Sequence, residues 1–252
     1  MADDLVHCTV DDAIATITLD SPSNRNALSR ALMADLNAAL DRAEQRDVRV
    51  IVVTHTSNTF CAGADLKERL EGPVDSSPMV RIFKRLMEAS QPTIAAVHGA
   101  VRAGGIGLMA SCDLVVVPHS ADFAFTEVRI GAVPAMISVP ILRRCAASRL
   151  AAAFLTGETF GAGRAQEIGL VSHVADDVDA QVRLLCDGLL KASPTAVAAT
   201  KQILYTVPGE PVDEALLRMK QLSEAFFETD EAKEGMRSYF EKRTPSWSRD
   251  LA

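Results

Sequence analysis

An α/β core with a helical C-terminal extension is the fold class that this 252-residue sequence predicts. Short β-branched or alternating runs interleave with helix-periodic segments as far as about residue 118, and from about Val139 helical periodicity continues alone. The hydrophobic share of 48%, against 23% charged, suits a sizeable core in one globular unit of one or two domains. No internal repeat or low-complexity linker divides the chain. The expected division is a core over residues 1–195 and a helical region over 196–252.

Each element has its own warrant. AIATITL (13–19) alternates apolar and small polar residues and reads as a strand. SPSNRNAL (21–28) is a turn-rich loop. A helix follows from about Ser29, because Leu32, Leu36 and Leu40 recur every fourth residue on one face. RVIVVT (49–54) is β-branched and reads as a buried strand. SNTFCAGADLKERL (57–70) is a loop running into a short helix, and GPVDSSP (72–78) is a flexible connection. Ser77 as N-cap and Pro78 at the first helical position then open a helix to about Ala89. Strands are expected at 93–97 and 114–117, with the glycine-rich AGGIGLMASCD between them. Helices are expected over roughly 139–155, 163–168, 177–192, 195–205, 212–228 and 230–242.

Charge and cysteine usage exclude several functions. Lys and Arg number 26 against 33 Asp and Glu, so the net charge of −7 gives no footprint for nucleic acid or an anionic membrane. The five cysteines form no C-x-x-C pair and no cluster at zinc spacing, so reduced thiols and no metal are expected. The acidic start lacks an apolar signal core, and no apolar run reaches membrane-spanning length. The expectation is a soluble, cytoplasmic protein.

The glycine-rich turn raises a choice of chemistry. Gly105 to Ala110 fits the dinucleotide fingerprint G-x-G-x-x-G/A, and Glu127 follows at about the distance of that motif's acid. Yet HGAVRA (98–103) separates the glycines from the preceding strand, and two earlier strands come before it. A second small-residue turn, CAGAD (61–65), also follows a buried strand and opens a helix. Two such turns can each aim a backbone N–H at one point, the arrangement that stabilises an oxyanion. Small residues suit this because a bulky side chain would hold the backbone away from a ligand.

NRNALS (24–29), FCAGADLKE (60–68), AAVHGAVRAGGIGLMASCDLVV (95–116), FAFTEVRIGAVP (123–134), LTGETFGAGRAQEIGLV (155–171) and EGMRSYFEKRTPSW (234–247) carry a resemblance that covers nearly the whole chain. In order and spacing they resemble the enoyl-CoA hydratase/isomerase, or crotonase, family. The resemblance implies a spiral of β-β-α units with a C-terminal helical region, assembled as a homotrimer or hexamer. The implied ligand is an acyl-CoA, whose coenzyme A arrives with the substrate, so no separate cofactor is expected. It implies that the N–H groups of Ala64 and Gly104 hold the thioester oxygen and that Glu127 moves the proton. Substrate contacts are implied for Arg25, Ala27, Ala62, Asp65, Leu66, Gly105 and Lys242, the last from the C-terminal helix. Hydratases of the family carry a further glutamate at the position of Gly107, and its absence leaves both hydration and isomerisation open. Thioester hydrolysis, decarboxylation, C–C cleavage and non-catalytic acyl-CoA binding are the alternatives.

Other residues have plainer readings. His98, with no Asp or Ser partner visible, reads as a packed histidine. Cys61 is assigned no nucleophilic role. The stripe Met79, Ile82, Phe83 and Met87 fits either core or pocket. A glutamate placed at 107 is expected to reach the acyl carbons opposite Glu127 and to favour hydration.

Overall fold

The computed structural model describes residues 4–73, 75–249 and 251. Two sheets organise them. The larger takes β1 (Val6–Asp11), β2 (Ile14–Leu19), β3 (Val50–His55), β5 (Thr93–Ala96), β7 (Leu114–Pro118) and β10 (His173–Ala175), in that spatial order. The smaller takes β4 (Thr59–Cys61), β6 (Ala100–Arg102), β8 (Asp122–Ala124) and β9 (Thr159–Gly161). Successive pairs β3/β4, β5/β6 and β7/β8 each contribute one strand to each sheet and are followed by helix. This is the expected β-β-α spiral. Among the described residues only the pairings β1–β2 and β8–β9 are antiparallel. The parallel strands β3 and β5 are buried almost throughout, as strands covered on both faces must be.

Local chemistry sets the helices. Ser29 caps α1 (Arg30–Ala43) by accepting from Leu32 N at 3.2 Å, and Leu32, Leu36 and Leu40 are wholly buried. Asp65 caps α2 (Leu66–Glu71) in the same way. The N-cap position of α3 (Ser77–Glu88) is Ser76 rather than Ser77, and Pro78 stands second in the helix. The reason is Asp75, whose carboxylate accepts the Ser77 N–H at 2.9 Å and starts the turn one residue early. The glycine-rich segment forms α4 (Gly104–Ala110), buried along its length.

The single helix expected over 139–155 is two, α5 (Ala135–Leu142) and α6 (Ala147–Thr156). Arg144 lies in the break and donates its guanidinium to the carbonyls of Ala110 and Cys112 at the end of α4. Apolar residues run on across the break, so periodicity alone does not reveal it. Strand β1 and the short strands β4, β6, β8, β9 and β10 lie outside the strands expected from the sequence; for the short ones the reason is that three residues cannot display a period of two.

After α7 (Ala162–Glu167), α8 (Val178–Lys191) covers the back of the larger sheet with Val178, Val182, Cys186 and Leu190. Helix α9 (Pro194–Thr206) is tied to the core by Lys201, 4% exposed, whose Nζ lies 2.8 Å from Asp113 Oδ2. That ammonium also donates to the carbonyls of Leu86 and Gln91, and Tyr205 donates to the other Asp113 oxygen. A buried pair this fully hydrogen-bonded tolerates burial; removing one partner would leave the other charge stranded. Helices α10 (Val212–Phe227) and α11 (Asp230–Glu241) close the chain with Leu216, Leu217, Phe227, Tyr239 and Phe240 exposed. All five cysteines are free thiols. Among the described residues no helix is long and apolar enough to cross a membrane.

Candidate active site

The two small-residue turns meet. Residues 61–65 leave β4 and are braced by the 21–28 loop: Ala62 N donates to Arg25 O at 3.0 Å, and Leu28 N to Gly63 O at 2.7 Å. Asn26, fully buried, holds that loop by accepting from Ser21 N and donating to Thr59 O. Gly63 has φ +92°, and a Cβ there would stand 2.8 Å from Ala103 Cβ, so this position needs glycine twice over. Ala103, which precedes α4, holds φ 47° and ψ −120°, a strained conformation for a residue with a Cβ. Its N–H donates to Ala124 O in β8, which fixes where α4 starts.

This contact brings the start of α4 against the first turn. A Cβ built on Gly104 would lie 3.6 Å from Ala64 N, and one on Gly63 would lie 3.3 Å from Gly104 N. Neither Ala64 N nor Gly104 N finds an acceptor among the described residues. For Gly104 this follows from its place at the head of a helix, where the N–H has no intrahelical partner. Both line a cavity of about 430 Å³, a volume ordinary for a small-molecule site.

Glu127 lines the same cavity, on the short helical turn Thr126–Ile130 that follows β8. Its carboxylate oxygen Oε2 is buried with no hydrogen-bond partner. Burial pushes its pKa above the ordinary carboxylate value of 4.5. Among the described residues, no other carboxylate lines this cavity. Met79, Val133 and Ile137 give the cavity apolar walls. Two N–H donors without acceptors beside a proton-hungry carboxylate can stabilise negative charge on an oxygen while a proton moves nearby.

The family profile for enoyl-CoA hydratase/isomerase matches residues 9–250. The chain belongs to the enoyl-CoA hydratase/isomerase family. An enoyl-CoA hydratase structure from Mycobacterium avium is 40% identical, covers 98% of this chain and 100% of its own, and superposes with a TM-score of 0.75. An enoyl-CoA hydratase structure from Shewanella pealeana superposes with a TM-score of 0.92 at 26% identity, over 96% of each chain. The 2,3-dehydroadipyl-CoA hydratase of Escherichia coli is 32% identical over 243 residues, 93% of this chain and 94% of that one.

Among the residues singled out from family resemblance, Ala62, Ala64, Leu66, Gly104 and Glu127 share the cavity. Arg25, Ala27, Asp65, Gly105 and Lys242 do not line it. Asp65 caps α2 by accepting from Lys67 N and Glu68 N, and Asn24 donates to its second oxygen. A Cβ on Gly105 would stand 2.6 Å from Cys61 O, so that glycine lets α4 lie on the first turn. Arg25 is exposed with φ 57°, and Lys242 is an exposed left-handed residue closing α11. Met79 from the uncertain stripe faces the cavity, whereas Ile82 is buried in the main core. Arg69, Thr126 and residues 132–137 also line the cavity without having been singled out. The sequence signal for residues 132–137 is the apolar, proline-containing run AVPAMI, which begins within the block 123–134.

Three sequence readings change or sharpen here. The space expected for a glutamate at 107 does not exist. A Cβ on Gly107 would fall 2.6 Å from Ile137 Cγ2, 2.8 Å from Ile137 Cβ and 2.9 Å from Phe83 Cζ. Gly107→Glu should therefore lower the melting temperature by several degrees, through overpacking and an unpaired buried carboxylate, with no gain in hydration. A variant that melts with the wild type and hydrates faster would contradict this packing. His98 does have an acidic partner: its Nε2 lies 3.3 Å from Asp179 Oδ1 at the start of α8. Its backbone N–H donates to Nε2 of buried His55, whose pKa burial pushes down to about 4. Neither histidine lines the Glu127 cavity, so the pair serves packing. Cys61 is buried beside the first turn with its thiol pushed up to about 12, far from the thiolate a nucleophile needs.

Proposed function

We propose that this protein processes enoyl-CoA thioesters, holding the thioester oxygen between the N–H groups of Ala64 and Gly104 and moving protons with Glu127 alone. The observation that carries the reading is the unpartnered, buried Glu127 oxygen facing a cavity that both acceptor-free N–H groups also line. The names of the relatives, enoyl-CoA hydratases and a dehydroadipyl-CoA hydratase, fit this substrate class.

The chemistry follows from charge. Ionised Glu127 takes a proton from the carbon beside the thioester, and the electron pair left behind delocalises onto the thioester oxygen. The two N–H groups stabilise that oxyanion. Donors of this kind are worth about 2.7–4 kcal/mol each in the transition state. Glu127, now protonated, returns the proton at a carbon farther along and shifts the double bond. For hydration the same carboxylate takes a proton from a water whose oxygen bonds the β-carbon, and the double bond's electron pair passes to the thioester oxygen as an enolate. The protonated carboxyl then returns the proton to the α-carbon. The packing of Ile137 and Phe83 over Gly107 favours one carboxylate over two.

A panel of 2- and 3-enoyl-CoA thioesters, followed by mass spectrometry, tests the reading. The product should gain one water, or keep the substrate's mass while the absorbance of the conjugated thioester changes. Release of free CoA without either change would overturn it in favour of a hydrolase. Arg25 and Lys242 are kept as candidate contacts for the CoA phosphates. The exposed apolar side chains on α10 and α11 support assembly through the 196–252 region, since large apolar side chains left in water favour a contact that covers them. Sedimentation at micromolar concentration should give a trimer or hexamer, and a monomer would count against assembly.

A further inference from the structure

A second cavity, of about 390 Å³, lies beside the first, and Met136 lines both. Both run between α3 and α5. Met79 and Ile137 face the Glu127 cavity, whereas Val80, Phe83 and Val139 face the second. Chain cannot pass from the reacting carbons toward Gly107, because Ile137 and Phe83 fill that space to within 3 Å of where a Cβ would stand. The residue that the two cavities share is instead a partly buried methionine, an unbranched side chain with three rotatable bonds that can swing aside. Around the second cavity Val80 is 51% and Val139 55% exposed, apolar surface that an alkyl chain would cover, while Lys84, Glu88, Arg143 and Gln202 stand on its polar side.

We infer that Met136 gates a passage between the two cavities, and that the second cavity takes the distal apolar part of the acyl chain. This rests on the proposed acyl-CoA function and adds a preference for long alkyl thioesters. The occupant is the same substrate, because the second cavity continues the first across one side chain. Each methylene moved from water into such a site strengthens binding about fourfold, the equivalent of about 0.8 kcal/mol.

Calorimetric titration of the full chain with butanoyl-CoA and dodecanoyl-CoA tests it, since saturated thioesters bind without turnover. The wild type should bind dodecanoyl-CoA at least about tenfold more tightly. Val139→Trp should bring the affinity ratio close to one by filling the second cavity. Val80→Trp should do so from the opposite wall. Both positions are half exposed, so neither change requires the core to repack. Met136→Ala should keep or raise the ratio. Equal affinities in the wild type, or a ratio unchanged by both tryptophans, would overturn the inference while butanoyl-CoA binding upheld the acyl-CoA reading. If neither thioester binds, the proposed function itself falls, and this inference with it.

Discussion

Glu127→Gln is expected to lower kcat on an enoyl-CoA thioester about a thousandfold while saturated acyl-CoA affinity stays within about threefold. The amide keeps the shape of the side chain and leaves the Ala64 and Gly104 donors untouched, so binding survives. It cannot accept and return a proton, and no other carboxylate lines the cavity among the described residues. A variant retaining a tenth of the wild-type rate would remove Glu127 from the reaction.

The same substitution has a second readout in stability. Burial raises the Glu127 pKa in the folded state above its ordinary value of 4.5, which the unfolded chain should have. Between the two values the native state binds more protons than the unfolded state, so this group lowers stability as pH rises. Below the ordinary value it has no such effect; above the raised value the effect is complete. Glutamine never ionises. Glu127→Gln should therefore match the wild type in denaturant unfolding near pH 4 and exceed it near pH 8. A difference that does not grow with pH would mean that the carboxylate is not desolvated. The acid limb of the wild-type kcat/KM profile should likewise lie above the ordinary carboxylate range.

Gly104→Pro should lower kcat about a hundredfold to a thousandfold, the loss associated with one oxyanion donor. Proline is tolerated at the first position of a helix because the N–H it lacks has no intrahelical partner there. The ring does restrict Ala103, already strained at φ 47°, so some loss of stability is expected too. The measurement pairs kcat with a melting curve. Near-full activity in a folded variant would mean that the glycine turn serves packing and not the thioester oxygen.

How far the sequence could be read depended on the range of each interaction. Helix α1 was legible because Leu32, Leu36 and Leu40 lie four residues apart, and the periodicity of one element reports its own burial. The break between α5 and α6 was not, because Arg144 makes it by reaching carbonyls more than thirty residues earlier in the chain. His98 lacked a visible partner for the same reason: Asp179 lies on α8, and only the packing of α8 on the larger sheet brings them together.

By itself the sequence determined four strands of the larger sheet and most of the helices, the two small-residue turns, the family, and Glu127 as the candidate acid/base. All of these are carried by residue types at short, fixed spacings. Tertiary structure alone decided that Gly63 and Ala103 pack the two turns together, that Gly107 has no room for a second carboxylate, and that Met136 lines two cavities. Those outcomes depend on side chains from α3, α4 and α5 meeting in space. A local pattern reports which face of an element is buried, but not which atoms will lie against it.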